Sequence, residues 1–419
     1  MDSFEVVGGK KLSGTVEASG SKNAALPILF ATLLSPGKIK LGKVPKLHDI
    51  KTTLSLLEGV GAKVERAGGD VMLELPKLTS TEAPYDLVRT MRASVLMLGP
   101  LLAREHKAKV SLPGGCAIGS RPVDIHLIAL EEMGAKLELR EGYIVGSCPG
   151  GLKGAEIKFR FPSVGATQQI MMAASLAKGK TVIRNAAREP EIENLGGFLR
   201  AMGAKITGDG TSDIEIEGVT TLHGADFQVM FDRIESATLL LAGPITGGST
   251  RVNGMETECL EVYLGLLKQA GVEITSGPGW VEAKATGKGA GVSFNTQPHP
   301  GYPTDIQAQM MAYLAQVNGV SHIGETIFEN RFMHVPELVR MGADIRVDGA
   351  NAEVHGKPGC YQGATVMATD LRASAALVLA GLAAKGTTRV RRIYHLDRGY
   401  ESLELKLRSL GADIVRKPE

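Results

Sequence analysis

The chain has 419 residues, of which 43% are hydrophobic and 22% charged, a composition typical of a globular protein large enough for two domains. Lys and Arg together number 47 against 45 for Asp and Glu, so no global positive field indicates a nucleic-acid partner, and any anion site has to be local. The first residues lack the apolar core of a signal peptide and no apolar run reaches membrane-spanning length, which predicts a cytoplasmic protein that does not bind membranes.

A short phrase that ends an amphipathic helix and begins a strand recurs six times along the chain. Each copy contains a glycine, and the spacing between copies is about 70 residues. Glycine is expected there because the residue that follows a helix often has a positive φ. In the first copy, Ile50, Leu54 and Leu57 have the i, i+4, i+7 spacing that predicts one buried helix face. The six glycines are Gly61, Gly134, Gly203, Gly271, Gly342 and Gly411.

A second phrase alternates with the first. It consists of a helix rich in small and apolar residues followed by a β-branched strand, as in AALPILFATLLSPGKIKL and ASAALVLAGLAAKGTTRV. A helix of this composition, with few charges, is buried on nearly all sides. We therefore predict an α/β fold of six repeats, three in each of two domains, with buried helices surrounded by sheets and outer helices.

Basic residues fall at equivalent positions in four of the repeats, at the start of the buried helix: Lys22, Arg92, Arg233 and Arg372. A cation there opposes the helix dipole, so another reason for its presence is needed. Helix N-termini attract anions, and four equivalent cations indicate a shared anion-binding cleft. The alternative is that these side chains reach solvent or pair with Asp86, Asp232 and Asp370.

Nine segments in a fixed order also carry a resemblance to a known family. They are SGSKNAALP from Ser19, MRAS from Met91, LPGGCAIGSRPVD from Leu112, PSVGAT from Pro162, AAREPEI from Ala186, YPTDIQAQ from Tyr302, FENRFMHVPEL from Phe328, ATDLRAS from Ala368 and HLDRGYE from His395. In this order they resemble the enolpyruvyl transferases, and within that family the branch whose acceptor is UDP-N-acetylglucosamine.

The resemblance implies a two-domain inside-out α/β barrel with the active site between the domains. One domain would comprise residues 22–229, and the other residues 1–21 together with 230–419. The implied reaction transfers the enolpyruvyl group of phosphoenolpyruvate to the 3-hydroxyl of UDP-N-acetylglucosamine, with no metal or cofactor, as the first committed step of peptidoglycan synthesis. Two alternatives stay open: a transferase resembling 5-enolpyruvylshikimate-3-phosphate synthase, and an inactive paralogue that only binds ligands.

Cys116 differs in setting from the other three cysteines. It lies among the glycines of PGGC, near the cation Arg121, and cations lower the pKa of a thiol. By resemblance, Cys116 donates a proton to the methylene carbon of phosphoenolpyruvate and is the thiol that reacts with fosfomycin. Cysteine is also a small buried hydrophobe in many cores, which we expect for Cys148, Cys259 and Cys360. The four show no metal-ligand spacing.

Asp305 has two interpretations. Thr304 and Gln307 have capping-box spacing, which places Asp305 at the first helical position as an electrostatic cap. The resemblance instead makes Asp305 the base that deprotonates the sugar 3-hydroxyl.

The resemblance also assigns the other site residues. Those implied for phosphoenolpyruvate are Lys22, Arg121 and Arg398 for the phosphate, Arg331 and Arg372 for the carboxylate, and Asn23. Those implied for the nucleotide sugar are Asn23, Arg92, Arg121, Pro122, Val123, Asp124, Ile125, Phe161, Pro162, Ser163, Val164, Asp305 and Ile327. Glu189, Asp232 and Asp370 would either orient the cations or form structural pairs.

Overall fold

The computed structural model describes residues 2–89, 91–112 and 123–419. The strands of these residues are β1 (Asp2–Val7), β2 (Ser13–Glu17), β3 (Lys38–Gly42), β4 (Lys63–Ala67), β5 (Asp70–Glu74), β6 (Glu82–Ala83), β7 (Lys107–Ser111), β8 (Lys136–Arg140), β9 (Tyr143–Ser147), β10 (Glu156–Lys158), β11 (Lys180–Arg184), β12 (Lys205–Thr207), β13 (Asp213–Glu217), β14 (Asp226–Gln228), β15 (Ser249–Asn253), β16 (Val272–Gly277), β17 (Trp280–Ala285), β18 (Phe294–Asn295), β19 (Gly319–Gly324), β20 (Asp344–Asp348), β21 (Asn351–Gly356), β22 (Thr365–Met367), β23 (Thr387–Arg391) and β24 (Asp413–Pro418).

The α-helices of the same residues are α1 (Lys22–Ala31), α2 (His48–Gly59), α3 (Tyr85–Val88), α4 (Leu98–Glu105), α5 (Asp124–Glu132), α6 (Val164–Ala174), α7 (Pro190–Ala201), α8 (Arg233–Ile245), α9 (Glu261–Gln269), α10 (Gln307–Leu314), α11 (Val335–Arg340), α12 (Leu371–Ala383) and α13 (Leu403–Ser409). Short 3-10 helices lie at Thr32–Leu34, Arg92–Met97, Glu258–Leu260, Thr304–Ile306 and Ile393–Arg398. Among the residues that the structure describes, no helix is both long enough and apolar enough to cross a membrane.

The chain divides into two compact units. The central unit contains the described residues of 20–230, and the terminal unit contains residues 2–19 and 231–419. Each unit has its own hydrophobic core. The two places where the chain passes from one unit to the other are held locally by backbone hydrogen bonds. Within the central unit, the amide of Ser21 donates to the carbonyl of Met230 at 2.7 Å, and within the terminal unit, the amide of Asp232 donates to the carbonyl of Ser19 at 2.8 Å.

Each unit contains three four-stranded sheets of one design, within the described ranges. In the terminal unit the strand orders are β22-β23-β1-β24, β16-β17-β15-β2 and β18-β19-β21-β20; in the central unit they are β10-β11-β13-β12, β14-β3-β5-β4 and β6-β7-β9-β8. Every sheet has one parallel pair at its edge and two antiparallel pairs. This regularity confirms the predicted α/β fold of repeated units.

The apolar helices of the second phrase are buried as predicted. All residues of α8 and α10 are buried, and α8, α10 and α12 pack on one another in the terminal unit. In the central unit, α6 packs on both α1 and α4. The four basic residues of the repeats do stand at helix starts: Lys22 begins α1, Arg92 begins the 3-10 turn before α4, Arg233 begins α8, and Arg372 is the second residue of α12.

Helix α2 is representative of the amphipathic helices of the first phrase. Ile50, Leu54 and Leu57 of α2 are all buried, as the spacing predicts. The six marker glycines all have a positive φ, from 85° at Gly271 to 108° at Gly61. A side chain at such a backbone conformation is strained, which explains why each copy of the phrase uses glycine.

The prediction of three buried cysteines is correct only for Cys148, whose thiol donates to the carbonyl of Leu102 at 3.3 Å. Cys259 and Cys360 are half-buried. Cys259 lies in the 3-10 turn that precedes α9, and Cys360 follows the turn after β21, so both are at the edge of the core rather than inside it.

Candidate active site

A buried ion cluster in the terminal unit brings together three of the predicted site residues. Asp305 accepts from Nη2 of Arg331 at 2.6 Å through Oδ1, and from Nη2 of Arg372 at 2.8 Å through Oδ2. The two guanidinium side chains are only 3% and 4% exposed, whereas the carboxylate is 27% exposed. Two cations with little water around them thus share one anion that a ligand is able to reach.

Each arginine is held in place by its own surroundings. Arg331 also donates to the carbonyl of Thr304 at 3.3 Å and lies 5.5 Å from the ring centroid of Phe328. Arg372 lies 5.5 Å from the ring centroid of Tyr400. Aromatic faces attract cations, most strongly where water is excluded. Side chains fixed in this way lose little entropy when they bind an anion.

Burial lowers the pKa of Arg372, but attraction to Asp305, Tyr400 and Asp232 and the hydrogen bond to Asp305 together outweigh it, so the net pKa is raised and the guanidinium stays charged. Its Nη1 is buried and has no hydrogen-bond acceptor among the residues that the structure describes. An unsatisfied buried donor of a charged group is costly. Arg372 is therefore able to bind a further acceptor.

A hydrogen-bonded layer lies behind the ion cluster. Nε2 of Gln309, which has two N–H groups, lies 3.1 Å from each of three acceptors, the backbone carbonyl of Asp305 and the hydroxyls of Thr238 and Tyr400. The two hydroxyls are 3.0 Å apart. This layer connects α8, α10 and the end of the 3-10 helix Ile393–Arg398 with the backbone of Asp305, and so limits its movement.

Arg398 ends that 3-10 helix and is half-buried. The pKa of His395 in the same turn is lowered, chiefly because the ring is partly buried. Attraction to Asp370 raises this pKa, whereas repulsion of the protonated ring by Arg398 and Arg392 lowers it. The neighbouring acid Asp370 caps α12, since its Oδ1 accepts from the amides of Arg372 and Ala373 at 2.7 and 3.1 Å. Asp232 caps α8 in the same way, through the amides of Ile234 and Glu235.

In the central unit, Lys22 lies at the start of α1 after the capping residue Ser21, whose hydroxyl accepts from the amide of Ala24. Nζ of Lys22 is 3.5 Å from Oδ2 of Asp49, a buried carboxylate in the first turn of α2. The neighbouring Asn23 is half-buried. Asp49 was not predicted as a partner of Lys22, because the pairing depends on how α1 and α2 pack.

The buried histidine His126 lies close to two of the segments that are predicted to bind the nucleotide sugar. Burial, together with repulsion by Arg92 and against the attraction of Asp124, lowers the pKa of His126 to about 4. Gly165 is so close to His126 that an added Cβ would lie 3.0 Å from the ring. Val123, Asp124 and Ile125 immediately precede His126, and Ser163 and Val164 immediately precede Gly165. The contact between His126 and Gly165 therefore brings the two predicted segments together.

The exposed side of this region carries the remaining predicted residues. Asp124 accepts from Nη2 of Arg160 at 2.7 Å, and the guanidinium of Arg160 lies 5.4 Å from the ring centroid of Phe161. Phe161 is exposed, Pro162 and Val164 are half-buried, and Ser163 caps α6 through the amide of Ala166. A polar and aromatic surface of this kind suits the base, ribose and phosphates of a nucleotide.

Cys116, Arg121 and Pro122 lie outside the described residues. The structure places the other predicted residues as given above, with Ile327 half-buried in the segment between β19 and Arg331. Their roles toward substrates stay predictions. Among the described residues, no group of three or more His, Cys, Asp or Glu side chains is arranged to hold a metal ion.

The capping box predicted at Thr304 and Gln307 does not form, although Asp305 does lie in the first turn of a helix, as predicted. Asp305 is the middle residue of the 3-10 helix Thr304–Ile306. The N-cap residue of that helix is Pro303, which makes no side-chain cap. The hydroxyl of Thr304 donates to Glu325 at 2.9 Å instead, and Gln307 is fully buried. In a capping box this hydroxyl would accept from the amide of Gln307, whereas here it donates to a carboxylate, so a tertiary contact replaces the local motif.

The model of the family EPSP synthase (3-phosphoshikimate 1-carboxyvinyltransferase) matches residues 6–407 of the chain. The chain belongs to the enolpyruvyl transferase family. It is therefore a transferase.

Individual relatives agree with this assignment. The UDP-N-acetylglucosamine 1-carboxyvinyltransferase of Trichlorobacter lovleyi is 53% identical over 419 residues, and that of Nitratidesulfovibrio vulgaris is 55% identical over 420 residues, with 100% of both chains covered in each case. Among solved structures, the enolpyruvyl transferase NikO from Streptomyces tendae is 26% identical, has a TM-score of 0.90 and is matched over 99% of each chain.

Proposed function

We propose that this member of the family transfers the enolpyruvyl group of phosphoenolpyruvate to the 3-hydroxyl of UDP-N-acetylglucosamine and releases phosphate. The observation that carries the proposal is the carboxylate of Asp305 bound by both Arg331 and Arg372. It occurs in a chain that is more than half identical, over its full length, to proteins named for this activity. The cluster supplies both a base and the cations that an anionic donor needs.

The carboxylate of phosphoenolpyruvate binds to Arg331 and Arg372 in this proposal. The planar guanidinium group suits a carboxylate because it offers two parallel donors. Lys22, Arg121 and Arg398 bind the phosphate, and Asn23 contacts both substrates. Preorganised cations stabilise the charge of the reaction more effectively than water does, since they need no reorientation as charge develops.

UDP-N-acetylglucosamine contacts the segments around His126, together with Ile327 and Asp305. The residues that contribute are Asn23, Arg92, Arg121, Pro122, Val123, Asp124, Ile125, Phe161, Pro162, Ser163, Val164, Asp305 and Ile327. Exposed Phe161 offers an apolar face, and Ser163 and Arg92 stand at helix starts where phosphate groups are favoured.

The chemistry is an addition followed by an elimination. The 3-hydroxyl oxygen forms a bond to C2 of phosphoenolpyruvate, its proton passes to Asp305, and C3 gains a proton from Cys116. The thiolate of Cys116 then takes a proton back from C3 of the resulting tetrahedral intermediate, the electrons of that C–H bond form the double bond between C2 and C3, and the bond between C2 and the phosphate oxygen breaks. The product retains the enolpyruvyl double bond, and inorganic phosphate leaves. This chain's own groups provide every proton transfer in the scheme.

The ion cluster adds a step that precedes the chemistry. Asp305 occupies both arginines that the donor carboxylate requires, so the two carboxylates compete for the same cations. A carboxylate held by two guanidinium groups is also a weaker base than a released one. Arrival of phosphoenolpyruvate thus frees Asp305 to accept the proton of the sugar hydroxyl.

This activity is the first committed step of peptidoglycan synthesis, and we propose that it takes place in the cytoplasm. Phosphate release tests the proposal when purified protein and phosphoenolpyruvate are incubated with either of two acceptors. UDP-N-acetylglucosamine should support release and shikimate 3-phosphate should not. The second acceptor is included because the matching family model bears the name of the shikimate-pathway enzyme. If neither acceptor supports phosphate release, the protein is a paralogue that only binds ligands.

A further inference from the structure

Glu325 is a buried carboxylate on which four hydrogen bonds converge. Its Oε1 accepts from the hydroxyl of Thr296 and the amide of Ile327, both at 2.9 Å, and from the amide of Phe328 at 3.2 Å. Its Oε2 accepts from the hydroxyl of Thr304 at 2.9 Å. A carboxylate offers about four acceptor positions and no donor. The side chain is thus fully used to join three segments of the chain.

The segments that Glu325 joins are those on either side of the ion cluster. Thr304 immediately precedes Asp305, and Ile327 and Phe328 lead to Arg331. Thr304 is fixed at two atoms, because Glu325 holds its hydroxyl and Arg331 donates to its carbonyl at 3.3 Å. The backbone that carries Asp305 is therefore located by Glu325 from one side and by Arg331 from the other.

The sheet fixes Glu325 itself. It follows β19 directly, and its amide donates to the carbonyl of Ala350 at 2.8 Å. Thr296 follows the parallel neighbour β18, and its amide donates to the carbonyl of Gly324 at 2.8 Å. Thr296 is thus the contact of Glu325 on the side of the sheet, and Thr304 is its contact on the side of Asp305. The two threonines donate to different oxygens of one carboxylate.

We propose that Glu325 is a positioning residue for the proton transfer, which holds Thr304 and thereby sets Asp305 against the acceptor hydroxyl. The proposal deepens the proposed function and rests on it. Asp305 contacts the substrate, whereas Glu325 acts only through Thr304 and the 327–328 backbone. A side chain that locates a reacting group affects turnover strongly, since a displacement of about 1 Å costs up to roughly 100-fold in rate.

The test compares the two threonines in the full-length protein. Thr304→Val removes the hydroxyl that links Glu325 to the Asp305 segment, and Thr304→Ser restores it. Thr296→Val removes a hydroxyl from the same carboxylate on the side of the sheet. For each variant, kcat and the KM of both substrates are measured by phosphate release, and the melting temperature by circular dichroism.

We expect Thr304→Val to lower kcat by about 10-fold or more, with smaller changes in either KM, and Thr304→Ser to recover most of the loss. Thr296→Val should lower the melting temperature but leave kcat within about twofold of the unaltered protein, as expected for a substitution that affects only stability. Glu325→Gln should lower kcat as well, and its effect should be less than additive with that of Thr304→Val, because both change the hydrogen bond between Glu325 and Thr304.

Equal effects of the two valine variants on kcat would overturn the proposal, as would a Thr304→Ser variant as slow as Thr304→Val. Additive losses in the double variant would also contradict it. Failure of the proposed function is recognised separately, because the unaltered protein would then release no phosphate with UDP-N-acetylglucosamine. If shikimate 3-phosphate were the acceptor that it uses, the same comparison of variants would be made with that acceptor.

Discussion

The competition between Asp305 and the donor carboxylate makes an unusual prediction about Asp305→Asn. The substitution keeps the shape of the side chain but removes the charge that occupies Arg331 and Arg372 at 2.6 and 2.8 Å. A hydrogen bond to a charged group contributes about 1.5–3 kcal/mol. If phosphoenolpyruvate no longer has to displace one such contact, its affinity should rise by roughly 10- to 100-fold. Turnover should be lost at the same time, because the amide does not accept the proton.

Isothermal titration with phosphoenolpyruvate, without the acceptor, measures this affinity in the variant and in the unaltered protein. Asp209→Asn is the matched control. It removes the same charge from a carboxylate that accepts from both terminal nitrogens of Arg200, at 2.7 and 2.9 Å, in the central unit. The control should leave the affinity unchanged. An Asp305→Asn protein that binds phosphoenolpyruvate no more tightly than the unaltered one, or that shows no binding in either form, would refute the competition.

Three further predictions concern other residues. Arg398→Ala should weaken the use of phosphoenolpyruvate by about 10- to 100-fold in KM or kcat/KM, and equal losses of sugar-nucleotide binding would mean that Arg398 supports the fold instead. Cys116→Asp should retain appreciable phosphate release while Cys116→Ser loses most of it, because a carboxylic acid is able to replace a thiol as a proton donor and a hydroxyl is a poor acid. Both variants should resist inactivation by fosfomycin. An Asp variant as slow as the Ser variant would mean that the thiol is more than an acid. Between pH 6.5 and about 4, unfolded protein binds a proton at His126 that the folded protein excludes, so lowering the pH through this range should cost roughly 3 kcal/mol of stability. His126→Gln should show a shallower fall in melting temperature over the same range, and an unchanged slope would contradict this interpretation.

The repeats explain why so much of the fold could be predicted from the sequence. The glycines and the alternating helix types are local signals. They predicted the six repeats, and they correctly placed Lys22 and Arg372 in the first turns of buried helices. The same local reasoning failed at Thr304, where Glu325 replaces the expected capping box.

Contacts between distant parts of the chain carry no such signal. Asp305 meets Arg331 and Arg372 only because α10, α12 and the segment after β19 pack together. The pair Glu235–Lys406, with 2.8 Å between Oε1 and Nζ, likewise joins α8 to α13, although the two residues are 171 positions apart in the sequence. The resemblance to a family named the arginines and Asp305, but it did not reveal that they bind one another or that Glu325 supports them.

Identification of the reaction product tests the central claim most directly. Purified protein is incubated with phosphoenolpyruvate and UDP-N-acetylglucosamine, and the product is isolated and examined by mass spectrometry and proton NMR. We predict the mass of the nucleotide sugar plus one enolpyruvyl group, two vinyl proton signals, and a linkage at the 3-oxygen. Recovery of unmodified UDP-N-acetylglucosamine, or attachment at another oxygen, would contradict the account.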